Sequence, residues 1–307
     1  MAVRSQPANA FLIVLAAIVL TSACSRGRSQ EPPKPPPPLL EYLGEWGTRG
    51  DGPGQFGAPS DIATDSGGRV YISDHDKGLV QKFTPLGTPL LSFGENPPWR
   101  PGSIAVDSGG AIYAVNEVSR RVFVFLPDGE RLTRLPVADR VAVDAEGIVF
   151  LADARGNRVK EYSPHGRLLK TWGRKGKGPG EFTSIQGLAA GPDGFLYVLD
   201  SGNNRVQKFT RAGEFVAAFG PGSETAGQEE SLSGIAVSAN HIFVMGYRSE
   251  PRIHVWTLDG RSVLTDNLGG RLSSGDPRAY PLAVSPRGEL LVLDPLRCRV
   301  LRFRINF

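Results

Sequence analysis

Cysteine and histidine are scarce in this chain, two and four residues among 307. No C-x-x-C, H-x-H or H-E-x-x-H occurs, so metal catalysis lacks its usual ligand spacing. No G-x-S-x-G is present to build a nucleophile elbow. The Gly-rich pieces open no helix, which makes them turn elements rather than phosphate loops. Helical periodicity is missing throughout. A strong charge of one sign is missing as well, once the first residues are set aside. Arg4, Arg26, Arg28 and Lys34 lie before residue 39, with Glu31 as the one acid there. Removing these from 35 basic and 31 acidic residues leaves 31 and 30, a net charge of about +1. The pI of 9.1 is therefore no argument for nucleic acid; the basic excess sits where it would favour an anionic membrane surface.

Long apolar runs are absent too, save one. "FLIVLAAIVL", Phe11–Leu20, has the length of a signal h-region and is short for a membrane span. Arg4 supplies the positive n-region. "LTSAC", Leu20–Cys24, then resembles a bacterial lipobox, with Thr21 where Leu is usual. That resemblance implies acylation of Cys24, so no disulfide within the chain, and leaves Cys298 a lone thiol with a structural role. "SRGRSQEPPKPPPP", Ser25–Pro38, has no hydrophobic period and reads as a polyproline tether. At ~3.1 Å per residue it would reach roughly 40 Å. The organisation expected is a signal peptide over 1–24, a tether over 25–38 and one domain over 39–307. Ser25 after the cysteine favours, by resemblance to sorted lipoproteins, an outer-membrane location facing the periplasm or cell surface in a Gram-negative host.

What the domain has in abundance is turns and repeats, with 38 Gly and 25 Pro. Six segments align: "SDIATD", "GSIAVD", "DRVAVD", "QGLAAG", "SGIAVS" and "YPLAVS". Their shared alanines, Ala63, Ala105, Ala142, Ala189, Ala236 and Ala283, are spaced by 42, 37, 47, 47 and 47 residues. Each is followed by a second apolar strand ("RVYISD", "FLYVLD") and a third ("LVQKFT", "RVQKFT"), the third carrying an aromatic at Phe83, Phe125, Tyr162, Phe209, Trp256 or Phe303. A fourth strand closes most units. Its last large apolar residue lies ten after that aromatic in four units, Phe93, Leu135, Trp172 and Phe219, and twelve after it in the fifth, at Leu268. The sixth unit runs out of chain at Phe307. "EYLGEWG", Glu41–Gly47, carries the missing pattern, with Trp46–Gly47 in the place of Phe93–Gly94.

Four-stranded units repeating at about 40–47 residues predict a β-propeller. Donating the N-terminal strand to the last blade would pair edges that an open ring would leave exposed. Gly178–Gly220, "GPGEF…GLAAGPDGFLYVLDSGNNRVQKFTRAGEFVAAFG", resembles an NHL repeat. The resemblance extends over about residues 40–307 and implies a six-bladed, all-β propeller of four-stranded antiparallel blades. The fifth unit departs most from it, with Gly246 for the usual Asp.

Loops between strands one and two and between three and four are tight Gly/Asp turns, poor material for a site. The opposite face carries the longer loops, including the matched pair "GTRGDGPGQF" and "GRKGKGPGEF", then "ENPPWRPG" with Trp99, "PGSETAGQEESLSG", and "GYRSEPR" with Tyr247. Function is expected there and at the channel mouth. Second strands end in Asp74, Asn116, Asp153, Asp200 and Asp294, and Arg121, Arg158, Arg205 and Arg299 follow five residues on. A ring of carboxylates would hold Ca²⁺ or another divalent ion. A turn-stabilising pair inside each blade explains the recurrence without a ligand. The first unit breaks the pattern with Leu79 and carries the distinctive cluster Asp74, His75 and Asp76. No metal ligand set and no cofactor is required by these residues. The expectation is a monomeric, membrane-tethered binding scaffold for a protein or small molecule, without nucleic acid. The alternative is a channel-site enzyme resembling propeller lactonases or peptide-amidating lyases.

Overall fold

The computed structural model describes residues 38–221, 230–273 and 280–306. The signal segment, Cys24, the tether up to residue 37 and most of the loop "PGSETAGQEESLSG" lie outside the described residues.

Six four-stranded antiparallel sheets form, five of them with their strands in chain order from the axis outward. The innermost strands are Pro59–Thr64, Pro101–Val106, Arg140–Val143, Ile185–Ala190, Ser231–Val237 and Leu282–Val284. Each touches the next, and the sixth touches the first, which closes the ring. Blades are numbered one to six in that order. Blade six is completed by Leu40–Trp46, paired antiparallel to Arg299–Ile305. The expected six-bladed propeller with an N-terminal closing strand is the observed fold.

The register shows why this strand fits. Trp46 stands opposite Val300. Phe93, Leu135, Trp172 and Phe219 stand opposite Val80, Val122, Val159 and Val206. Each outer-strand residue then meets a turn in the following blade: Trp46 lies on Gly87, Phe93 on Gly129, Trp172 on Gly213 and Phe219 on Gly260. These turn glycines have positive φ, and a Cβ on any of them would strike the ring. Blade five differs. Its outer strand ends at Asp266, and Leu268 lies beyond it in a short 3₁₀ turn, buried against blade six. That turn accounts for the two-residue offset seen in the sequence.

The core consists of layers between blades. Phe56, Ile62, Ile72 and Phe83 of the first blade and its leading loop pack on Leu291, Leu293, Cys298 and Val300 of the sixth, with Trp46 at the margin. Equivalent clusters fill the other five junctions. Cys298 is fully buried in its layer, and burial pushes its thiol pKa up. Its φ of 54° matches Arg120, Asn157 and Asn204, all left-handed residues immediately before a third strand. Cys298 is a turn and packing residue.

Candidate functional site

Carboxylates at the ends of the second strands hold their own blades together. Asp200 accepts the backbone N–H of Thr183 at 2.9 Å and the Arg205 Nε–H at 3.0 Å. Asp74 accepts from Gly57 at 2.8 Å and Ala58 at 3.0 Å. Asp294 takes Arg299 at 3.3 Å and the Ser273 hydroxyl at 3.1 Å. Asn116 accepts from Val118 and donates to Pro98. The Asp-to-Arg spacing is a cross-strand pair: Asp153, Asp200 and Asp294 lie in register with Arg158, Arg205 and Arg299. Asp74, Asp200 and Asp294 are completely buried, and a carboxylate out of water needs such donors.

Where the repeat pattern breaks, a neighbour takes over. Arg205 also clamps the loop before blade four, through the carbonyls of Gly178 and Glu181. Blade one has Leu79 in that position, and Lys77 binds the matching carbonyls of Gly52 and Gln55. Both matched loops curl into a two-residue parallel ladder that plugs Phe56 or Phe182 into the core. In blade five, Gly246 replaces the usual Asp. The Glu230 carboxylate occupies the space where a Gly246 side chain would stand, and it bonds His254 at 3.0 Å.

The residues expected at the channel mouth are thus spread out. Asp74, Asn116, Asp153, Asp200 and Asp294 are turn anchors. Trp99 is 4% exposed and packs on Phe123 and Phe125, as core. Tyr247 ends its strand opposite Ser231 and Pro251. His75 and Asp76 lie together, His75 Nδ1 being 3.1 Å from the Asp76 carboxylate. On its other side His75 Nε2 is 3.5 Å from Glu117 of blade two. No candidate named from the sequence lines the axial cavity; His75 comes closest, through Glu117.

The axis itself carries two cavities. One, on the long-loop side, has a volume of about 210 Å³ and takes lining residues from all six blades. Its polar residues are Ser60, Asp61, Ser103, Glu117, Arg140, Gln186 and Ser233. The other, on the tight-turn side, measures about 550 Å³ and is lined in part by Val143, Ala190, Val237 and Val284. The face judged poor from its short turns therefore bears the larger, more apolar recess. The two cavities share no lining residue. Ile62, Ile104, Val141, Leu188, Ile235 and Leu282 also border the first, one from each blade, with their side chains packed into the layers between blades.

Arg140 and Asp61, of opposite charge, face this smaller cavity without forming an ion pair, and Glu117 is a third charged group in its lining. Arg140 donates from Nε to the Gln186 carbonyl at 2.7 Å, from Nη1 to the Asp139 carbonyl at 2.9 Å and from Nη2 to Gln186 Oε1 at 3.0 Å. Three of its five N–H groups are used, which leaves two. Asp139 itself is bound by Arg120 through two contacts, at 2.8 and 2.6 Å. Burial alone would raise the Asp139 pKa; the Arg120 bonds hold it below the usual carboxylate range. Asp61, in blade one, accepts the N–H of Ile62 at 2.8 Å and of Ile104 at 2.9 Å. Burial pushes its carboxyl up to about 6, against the pull of those N–H groups, Arg140 and Ser103. Sequence scans missed Asp61 and Arg140 because each occurs once, at positions of the inner strand that vary from blade to blade. Their departure from the repeat was the signal available.

Among the described residues no cluster of three His, Cys, Asp or Glu side chains is arranged to hold a metal ion. Residues 182–209 match the NHL repeat family. No curated protein matches the chain. Solved structures of similar fold include a streptogramin B lyase, at 14% identity and a TM-score of 0.59 over 87% of this chain and 99% of that one. Virginiamycin B lyase from Staphylococcus aureus matches at 14% and 0.55 over 81% and 85%. Hydrazine synthase of Kuenenia stuttgartiensis matches at 14% and 0.60 over 81% and 77%. At such identities the likeness is one of fold. The chain is a six-bladed β-propeller with an NHL repeat in its fourth blade.

Proposed function

We propose that this protein is a lipid-tethered, extracytoplasmic propeller that binds a small polar ligand in its long-loop cavity. The observation that carries the reading is the lining itself. A half-buried guanidinium with two N–H groups not bonded within the protein and a desolvated carboxylate share one recess but make no bond to each other. Such unspent hydrogen-bonding capacity is costly in a folded interior unless water or a ligand meets it. The tether reading rests on the lipobox-like "LTSAC" and the proline run after it. No helix among the described residues is long and apolar enough to cross a membrane.

Thermal shift of the full-length protein in detergent, against a panel of small anions, cations, zwitterions and neutral sugars, tests the binding. A binder should raise Tm, and the Ser233→Trp variant, which puts a large ring at a half-exposed lining position of the recess, should lose the response. A flat panel on the wild type would dismiss the reading. Palmitate labelling tests the anchor: Cys24→Ala should abolish label and release the protein from membranes.

A second reading, a channel-site enzyme, has one observation in its favour. His75 sits at the lip between two carboxylates, Asp76 and Glu117, an arrangement that orients an imidazole base. Binding is preferred because no nucleophile among the described residues stands within hydrogen-bond reach of it.

A further inference from the structure

The same recess also indicates a class of ligand, an inference that rests on the binding reading above. Its charged lining is mixed. Arg140 is the guanidinium, and Asp61 and Glu117 are the carboxylates. A simple anion would meet Arg140 but also two like charges; a simple cation would meet the guanidinium. A molecule bearing both signs satisfies the lining from both sides. The geometry at each end is specific. Arg140 is gripped by two backbone carbonyls and Gln186 Oε1, which leaves one N–H on each terminal nitrogen, the fork that a carboxylate accepts. Asp61 has each oxygen on one backbone N–H, so acceptor capacity remains for an ammonium group.

Size and lining narrow the choice. About 210 Å³ is the share of roughly seven water molecules at ~30 Å³ each, the scale of a single small amino acid. Ile62, Ile104, Val141, Ile235 and Leu282 border the recess but are each under 10% exposed, with their side chains packed between blades, so the surface it offers is mainly polar. A compact side chain fits such a space; a long apolar one would find little to pack on.

We infer that the long-loop recess is a receptor site for a free α-amino acid with a compact side chain, its carboxylate on Arg140 and its ammonium on Asp61. Specificity comes from requiring both charges at once, with the volume of the recess limiting side-chain size.

Isothermal titration of the full-length wild type with L-valine, 3-methylbutanoate and isobutylamine tests this. The second probe lacks the ammonium group and the third lacks the carboxylate. Valine should bind, and each analogue should be about tenfold weaker or worse, as expected for loss of one charge-assisted hydrogen bond. Arg140→Met should erase the advantage of valine over isobutylamine, and Asp61→Asn its advantage over 3-methylbutanoate. The three-probe series on the wild type stands even if a variant fails to fold. An analogue that binds as tightly as valine overturns the zwitterion assignment. Should valine be silent while another panel compound stabilises the wild type and not Ser233→Trp, the amino-acid assignment falls and the binding reading survives. Silence of the whole panel removes both.

Discussion

Trp46 is the residue on which ring closure can be tested quantitatively. Its ring centroid lies 4.8 Å from that of Phe83 and 6.3 Å from that of Phe56, and the indole rests on the Gly87 turn of blade one. Truncation to Ala opens a cavity between blades six and one. Large-to-small changes of this kind cost about 3–5 kcal/mol when the side chain is fully buried. Trp46 is only half-buried, so about 3 kcal/mol is expected, a Tm drop of roughly 6–12 °C for a domain of this size. Trp172→Ala provides the internal standard, because Trp172 holds the same register position and rests on Gly213. The two losses should agree within about 1 kcal/mol. Trp46→Phe should behave differently. The indole N–H of Trp46 is buried with no hydrogen-bond partner, and blades one and four use Phe93 and Phe219 in this place. Removing an unsatisfied donor offsets the lost area, so the cost should stay below about 1 kcal/mol. Urea titrations and calorimetry of the three variants decide the matter. If Trp46→Ala left Tm unchanged while Trp172→Ala lowered it, the N-terminal strand would not be closing the ring.

Asp61 should make stability fall with rising pH. The folded state keeps a proton on Asp61 up to about pH 6, whereas the unfolded chain releases it near 3.8. More protons are bound when folded in that window, so stability declines from about pH 4 to about pH 6 and the penalty is complete above it. Asp61→Asn should flatten this decline, by up to about 3 kcal/mol between pH 4 and 7; urea midpoints rising over the same window through Asp61 would contradict the burial argument. Gly246→Asp should cost about 2 kcal/mol by crowding Glu230, and adding Glu230→Ala should recover at least half of it in a double-mutant cycle; strict additivity would mean that the two do not share a space. Lys77→Met should cost about 1 kcal/mol by releasing two loop carbonyls, and Leu79→Arg in the same chain should restore it. No recovery on melting would show that the two cations are not equivalent clamps.

The fold was legible because its determinants recur. Alanine spacing, third-strand aromatics and outer-strand aromatics each appear in most units, and a strand absent from the sixth unit pointed to Trp46. The Asp-to-Arg spacing was legible for the same reason, and the hydrogen bonds of Asp200 and Asp294 explain it locally. The recess was not legible, since a binding group in a propeller is one that the repeat does not require. Asp61 and Arg140 belong to blades one and three, come together only because blade two carries their inner strands round the axis, and look ordinary in their own segments. Trp99 misled for a related reason. It sits in a proline-rich loop, yet blade two needs an aromatic plug against Phe123 and Phe125, and the loop supplies it.

The inner strands serve the two recesses with different ends. Polar residues near their starts, such as Asp61, Ser103, Arg140 and Gln186, line the long-loop side, and small apolar residues near their ends, Val143, Ala190, Val237 and Val284, line the other. Because no residue lines both, the chemistry of one face can be altered by substitution without touching the other, and the repeat leaves each face free to diverge.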